Sequence, residues 1–101
     1  MTQHREEYVD NEFEAPRGEL EELVAQIIAN VLGVDRVGRT DSYYDFGGTS
    51  LQAVLISARI DQETGIHAGL AWLFETDVVA DFVKRLEMVR PRVPPAGQAD
   101  Q

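Results

Sequence analysis

The stretch Asp45–Val54 reads DFGGTSLQAV, which places a serine behind two glycines and a threonine where a loop gives way to an apolar-periodic run. A hydroxyl so placed could serve as a nucleophile, as part of a phosphate cradle, as a helix cap or as an attachment point. A nucleophile elbow of the form Gly-x-Ser-x-Gly would need glycine at position 52, which is Gln52, and a histidine base from elsewhere in the chain. The two histidines are His4, in an acidic N-terminal stretch, and His67, in an Ile-His-Ala turn that suits a solvent-facing imidazole. A Walker-type phosphate loop needs Gly-Lys before Ser or Thr, and the single lysine is Lys84, far from this stretch. Asp35, Asp41 and Asp45 lack the alternating spacing and following glycine of a calcium loop and suit turns and caps instead. Neither catalytic residues nor metal ligands are therefore expected.

Thr49 and Gln52 stand three residues apart just ahead of the apolar run, the spacing of a capping box, in which hydroxyl and amide each satisfy a free backbone N–H. That assignment makes Ser50 the first helical residue, with its hydroxyl toward solvent. A phosphoryl group on Ser50 would lie on a helix N-terminus, where unpaired N–H groups and the dipole stabilise an anion. Gly47 and Gly48 would leave it open from the loop side. The stretch thus suits attachment of a phosphate better than catalysis by serine, with a plain helix start as the alternative.

The elements that must position this serine are helical. Leu20, Leu23, Val24, Ile27, Ile28 and Val31 recur at the spacing of a helix burying one face, Glu19, Glu21 and Glu22 stand early where the dipole favours acids, and Gly33 ends the run. From Gly33 to Thr49 no period holds, which makes a long connection of the kind that tends to be functional. Periodicity resumes at Leu51, Val54, Leu55 and Ala58 until Gly65. Leu70–Phe74 supplies a turn or two of helix. Val79, Phe82, Val83 and Leu86 mark the last helix, with Asp77 as its expected N-cap and Pro91 beyond its end. No segment alternates with period two. The fold class expected is all-α, a small bundle of three main helices and one short one with the long loop between the first and second.

Length and composition bound what such a bundle does. A chain of 101 residues forms one domain with a modest core. Eighteen acids against nine bases give a net charge of −9, which argues against nucleic acid and anionic membranes as partners. The chain has no cysteine, so any thiol chemistry must be imported. Its first residues do not form a secretory signal and no apolar run is long enough to span a bilayer, which predicts a soluble, cytoplasmic protein, and a monomer is expected. Residues 1–15, rich in Glu and Asp, and residues 91–101, with three of the four prolines, are expected to be flexible tails around a domain at 16–90.

The stretch LGVDRVGRTDSYYDFGGTSLQAV resembles the core signature of peptidyl carrier proteins, the thiolation domains of nonribosomal peptide synthesis, and FETDVVADFVKRL resembles the last part of that family. The likeness runs in register from about Pro16 to Val89. It implies a four-helix carrier fold, and places Ser50 on the serine that receives 4′-phosphopantetheine from coenzyme A, with Gly47, Gly48 and Thr49 as the attachment loop. Tyr43 and Tyr44 fall on the family's aromatic pair, usually Phe-Phe, and Phe46 on its leucine; all three are expected to pack. Thr49 replaces a frequent aspartate or histidine, and Asp77 a frequent proline.

The resemblance implies a carrier that is not itself an enzyme. A phosphopantetheinyl transferase would bring the magnesium, the base and the coenzyme A, and an adenylation enzyme would load an aminoacyl or aryl group as a thioester. Condensation, tailoring or thioesterase enzymes would follow. Leu51, Gln52 and Val54 are the expected docking residues, and the uncharged run LQAVLISA departs from the acidic docking helix of fatty-acid carriers. Without a neighbouring domain the chain reads as free-standing. An acyl carrier of polyketide or fatty-acid synthesis and an unmodified helical adaptor are the rival readings.

Overall fold

The computed structural model describes residues 2–90, which run through a 3-10 turn at Arg5–Glu7, α1 (Gly18–Leu32), a second 3-10 turn at Tyr43–Phe46, α2 (Ser50–Thr64), α3 (Trp72–Glu75) and α4 (Val79–Met88). Among the described residues there are two isolated bridges, Gln3 with Val34 and Ser42 with Val78, and no strand. The all-α reading therefore holds, with three long helices, one short one and the long loop between α1 and α2. The Pro-rich segment at 91–101 lies outside the described residues.

Helix α1 packs against both α2 and α4. Leu20, Val24, Ile27 and Ile28 are buried together with Ala25 and Ala29, while Leu23 and Val31 stay half-buried at the edge. Gly33 stops the helix at φ 76°, a left-handed conformation that strains other residues, and its N–H reaches the Ala29 carbonyl at 2.9 Å. In α4, Val79, Phe82, Val83 and Leu86 fill the other side of the core, as their spacing predicts.

Helix α2 is a helix over the expected residues, with Ala53, Ile56, Ser57 and Ile60 on its buried side, and the stripe of Leu51, Val54, Leu55 and Ala58 faces out, as the docking role expected of Leu51 and Val54 requires. Both stripes satisfy helical spacing, so periodicity finds the helix without choosing its inner face. Asp77 is not the cap of α4. Val78 is the cap residue, and the first helical N–H groups bond to loop carbonyls, Val79 to Asp41 at 3.0 Å and Ala80 to Arg39 at 2.9 Å. The Asp77 carboxylate instead accepts from the Ser42 hydroxyl.

The acidic N-terminal segment is not a free tail. Its backbone runs beside the long loop, with the Gln3 N–H donating to the Gly33 carbonyl and the Asp35 N–H to the Gln3 carbonyl, both at 2.8 Å. Val9 is buried, and so is the whole Arg5 side chain. Arg5 grips the buried Asp41 carboxylate through Nε at 2.6 Å and Nη2 at 2.8 Å, and Nη2 also donates to the Asn11 carbonyl at 3.0 Å. The same carboxylate accepts from the Gly38 N–H at 2.8 Å and from the Asn11 amide at 3.2 Å. Burial pushes the Asp41 carboxyl up, but the bonds from Arg5, Gly38 and Asn11 outweigh it and hold the group below the ordinary carboxylate range. Composition marked this segment as a tail because a single arginine meeting a distant aspartate leaves no periodic trace.

Removing one partner of a buried pair strands the other. Arg5→Ala should therefore cost about 3 kcal/mol in urea unfolding at neutral pH, whereas Arg59→Ala, which breaks only the exposed bridge to Glu63, should stay within about 1 kcal/mol. Because the folded state depresses the Asp41 pKa, the stability it confers is present above the unfolded carboxylate value and is lost as the pH falls through the folded one. The gap between wild type and Arg5→Ala should accordingly narrow in acid, and a gap that widens there would contradict the pairing.

Candidate attachment site

The loop before Ser50 is shaped by one aromatic ring. Tyr43 is buried at the start of the second 3-10 turn, its N–H donating to the Asp77 carbonyl at 2.8 Å and its hydroxyl to the Thr49 carbonyl at 2.6 Å. Its ring lies under Gly48 so closely that a Cβ there would fall 2.1 Å from the ring, which no side chain tolerates. Gly47 meets nothing at that distance but sits at φ 69°, ending the 3-10 turn in the left-handed region. The two glycines thus answer to different constraints, one of space and one of torsion. Tyr44 departs from its expected packing role: its ring is half exposed, tilted against Phe74 at 5.8 Å, and its hydroxyl donates to the Phe74 carbonyl at 2.6 Å. Phe46 is buried, with the Tyr8 ring 5.7 Å away.

Thr49 and Gln52 form the expected capping box. The Gln52 N–H donates to the Thr49 hydroxyl oxygen at 3.1 Å and the Thr49 N–H to Gln52 Oε1 at 3.0 Å. A lost threonine cap costs about 1 kcal/mol. Ser50 is then the first residue of α2, exposed, and among the described residues neither its hydroxyl nor the N–H groups of Ser50 and Leu51 has a hydrogen-bond partner. The first turn carries no acid, and the first charge after Ser50 in sequence is Arg59. A phosphodiester on this hydroxyl would meet free N–H groups at the positive end of a 15-residue helix with no carboxylate in that turn to repel it, so the residues fit the group.

Beside it lies an apolar face. Leu51 is 69% exposed, Val54 42% and Leu55 48%, and Leu70 from the segment before α3 is 64% exposed. Val54, Ala58, Ala68 and Leu70 line a shallow groove of about 180 Å³ with Ser57, Asp61 and His67 at its edges. His67 is solvent-facing as expected, 2.9 Å from the Asp61 carboxylate. Of the docking residues read from sequence, Leu51 and Val54 are therefore on the surface. Gln52 is half-buried, with its amide oxygen committed to the cap. Leu55 belongs to the same stripe and was legible at i+4 from Leu51; Leu70 has no periodic signal and enters only through the fold. Among the described residues no group of three metal-ligating side chains comes together.

A family model described as a phosphopantetheine attachment site matches residues 22–86. A dimodular nonribosomal peptide synthase of Bacillus subtilis is 36% identical over 87 residues, covering 86% of this chain and 4% of that protein. The chain spans 5% or less of the length of the curated relatives it matches. In structure it is similar to a chain of the complex of the phosphopantetheine transferase Sfp with coenzyme A and a peptidyl carrier protein, with TM-score 0.71 and 26% identity over 75% of this chain and 99% of that one. It is also similar to the docking domain complex of the Pax nonribosomal peptide synthetase, with TM-score 0.74 and 28% identity over 81% of this chain and 79% of that one. An exposed serine heading a well-capped helix, a glycine turn closed over an aromatic ring, and a family match across most of the described bundle converge on one assignment: the chain belongs to the phosphopantetheine attachment-site family, as a non-catalytic peptidyl carrier, or thiolation, domain for covalent 4′-phosphopantetheine.

Proposed function

We propose that Ser50 bears the phosphopantetheine arm, and that the protein carries an aminoacyl or aryl group in nonribosomal peptide or related secondary-metabolite biosynthesis. The observation that carries the site is the exposed, unpartnered Ser50 hydroxyl at the head of α2. The arm supplies a terminal thiol that holds the acyl group as a thioester. The chain's own residues orient and present: Thr49 and Gln52 fix the helix start, Gly47 and Gly48 let the loop turn tightly over Tyr43, and the free N–H groups of Ser50 and Leu51 would be the donors available to a phosphate borne on Ser50. Among the described residues Ser50 has no hydrogen-bonded base, so its proton passes to a group that the transferase provides.

The partners proposed are a phosphopantetheinyl transferase, an adenylation enzyme and then condensation, tailoring or thioesterase enzymes, each visiting in turn. Weak, repeated docking suits a small patch in which a few apolar side chains dominate, which Leu51, Val54 and Leu55 provide. The absence of charge through LQAVLISA supports the peptidyl reading over an acyl carrier of fatty-acid type. We further propose that the protein works as a separate unit met in trans, supported by an N-terminal segment that folds onto its own bundle rather than away from it. No helix in the described residues is long and apolar enough to cross a membrane, and a cytoplasmic location is part of this proposal.

Incubation with coenzyme A, magnesium and a broad-specificity transferase should add the mass of one phosphopantetheine to the wild type, mapped by peptide digestion to Ser50, and none to Ser50→Ala, which should melt as the wild type does. Modification of the alanine variant would move the site, and no modification of the wild type by several transferases would favour an unmodified helical adaptor. Leu51→Asp changes an exposed side chain and should shift stability by no more than about 0.5 kcal/mol. Loss of a docking anchor should lower loading by about tenfold or more. A folded Leu51→Asp variant loaded at the wild-type rate by transferase and adenylation enzyme alike would take Leu51 out of the docking surface.

A further inference from the structure

The N-terminal segment precedes the matched stretch, which begins at residue 22, yet it is bound along the loop that leads to Ser50. We propose that residues 3–14 are a strap that positions this loop for loading, with Arg5 and Tyr8 as its positioning residues; the loading itself rests on the assignment of Ser50 above.

The strap is tied at both ends by backbone. Gln3 pairs with Gly33 and Asp35, and the Arg39 N–H donates to the Glu14 carbonyl at 2.8 Å. That carbonyl lies where a Cβ on Gly38 would come within 2.9 Å, so loop and strap are in close contact there. Between the ends, the Arg5 N–H donates to Asp35 Oδ1 at 2.7 Å, its guanidinium takes Asp41, and Arg36 stacks on the Phe13 ring at 3.9 Å. Residues 33–41, most of the aperiodic connection, are thereby fixed from outside the bundle. Farther on, the Tyr8 ring lies against Phe46, the residue directly before Gly47. The connection runs onward by short steps: Asp41 is two residues from Tyr43, whose ring supports Gly48 and whose hydroxyl holds the Thr49 carbonyl, next to Ser50.

What marks this as positioning is where the strap's polar ties go. Helix α1 packs against α2 and α4, and the strap adds Val9 to the core and lays Phe13 beside α1, but its long-range backbone hydrogen bonds, its buried ion pair and its Tyr8 ring are spent on the connection from Gly33 to Asp41 and on Phe46. A loop of this length left alone samples many conformations. A transferase that must find the Ser50 hydroxyl in one geometry would meet that geometry less often, which raises KM while leaving the bond-making step alone once bound.

Tyr8 is the residue on which to test this, because it is part-exposed and its ring touches the attachment loop without holding the buried ion pair. In the full chain, Tyr8→Ala should melt cooperatively, exchange the amides of Gly47 to Leu51 faster than wild type, and show a transferase KM raised by about two- to tenfold, the range of a lost aromatic pair, with kcat within about twofold. Tyr8→Phe keeps the ring and should restore both readings. Wild-type exchange at those amides in Tyr8→Ala, a phenylalanine variant that behaves as alanine does, or loss of the folded bundle in Tyr8→Ala would overturn the strap. Amide exchange does not require that Ser50 be loaded. A wild type that accepts no arm therefore defeats the attachment assignment, while exchange still decides the strap.

Discussion

Asp41 sits in an irregular loop with its carboxylate shut away from water, and a buried charge of this kind persists only if its oxygens are filled by donors. The Gly38 N–H and the Asn11 amide supply two, and the rest come from Arg5, thirty-six residues upstream. Meeting that demand brings the N-terminal segment back onto the domain. It also fixes the local backbone, so that the Asp41 and Arg39 carbonyls point at the start of α4 and close its open N–H groups without any capping side chain. Ser42 and Tyr43 then pair with 77 and 78, and the ring of Tyr43 decides the shape of the glycine turn. One carboxylate thus links the entry of α4, the strap and the attachment loop.

The second constraint is that α2 is apolar on two sides. Its inner stripe of Ala53, Ile56 and Ile60 is fully buried, and its outer stripe begins beside Ser50. The outer residues keep much of their apolar surface in solvent, so their character calls for an explanation from outside the fold, and a contiguous exposed patch of this kind is what a binding surface needs. The Tyr-Tyr pair in place of the family's usual Phe-Phe makes use of the added oxygens. Each hydroxyl holds a backbone carbonyl at 2.6 Å, Thr49 for Tyr43 and Phe74 for Tyr44, so the exchange adds a tie at each end of the turn.

Much of this was legible. Apolar spacing located α1, α2 and α4, Gly33 and Gly65 marked two helix ends that are indeed left-handed, and the Thr49–Gln52 spacing foretold the capping box atom for atom. The neighbours of the residue on which attachment is proposed left it as a helix start or an attachment point, and the family resemblance chose between the two. What stayed hidden has a common cause: each miss depends on a contact distant in sequence. Arg5 with Asp41 leaves no period, the inner face of α2 is chosen by what packs on it, and the cap of α4 comes from loop carbonyls, which no side chain at Asp77 could reveal. The acidic composition of the first fifteen residues even argued the wrong way, since disorder is read from averages and a single well-paired arginine does not move an average.

The exposed stripe on α2 carries a further consequence for how this protein behaves in a crowd of its own copies. A greasy surface that is open to visitors is equally open to itself, and nothing in its shape forbids two stripes from meeting. What opposes that meeting is the net charge of −9 on each copy. That repulsion extends over a Debye length of about 10 Å at 0.1 M salt and only about 3 Å at 1 M. The excess of acids therefore acts as a colloidal barrier to self-association, strong in dilute buffer and weak in brine, while a partner with a basic rim is drawn in by the same field.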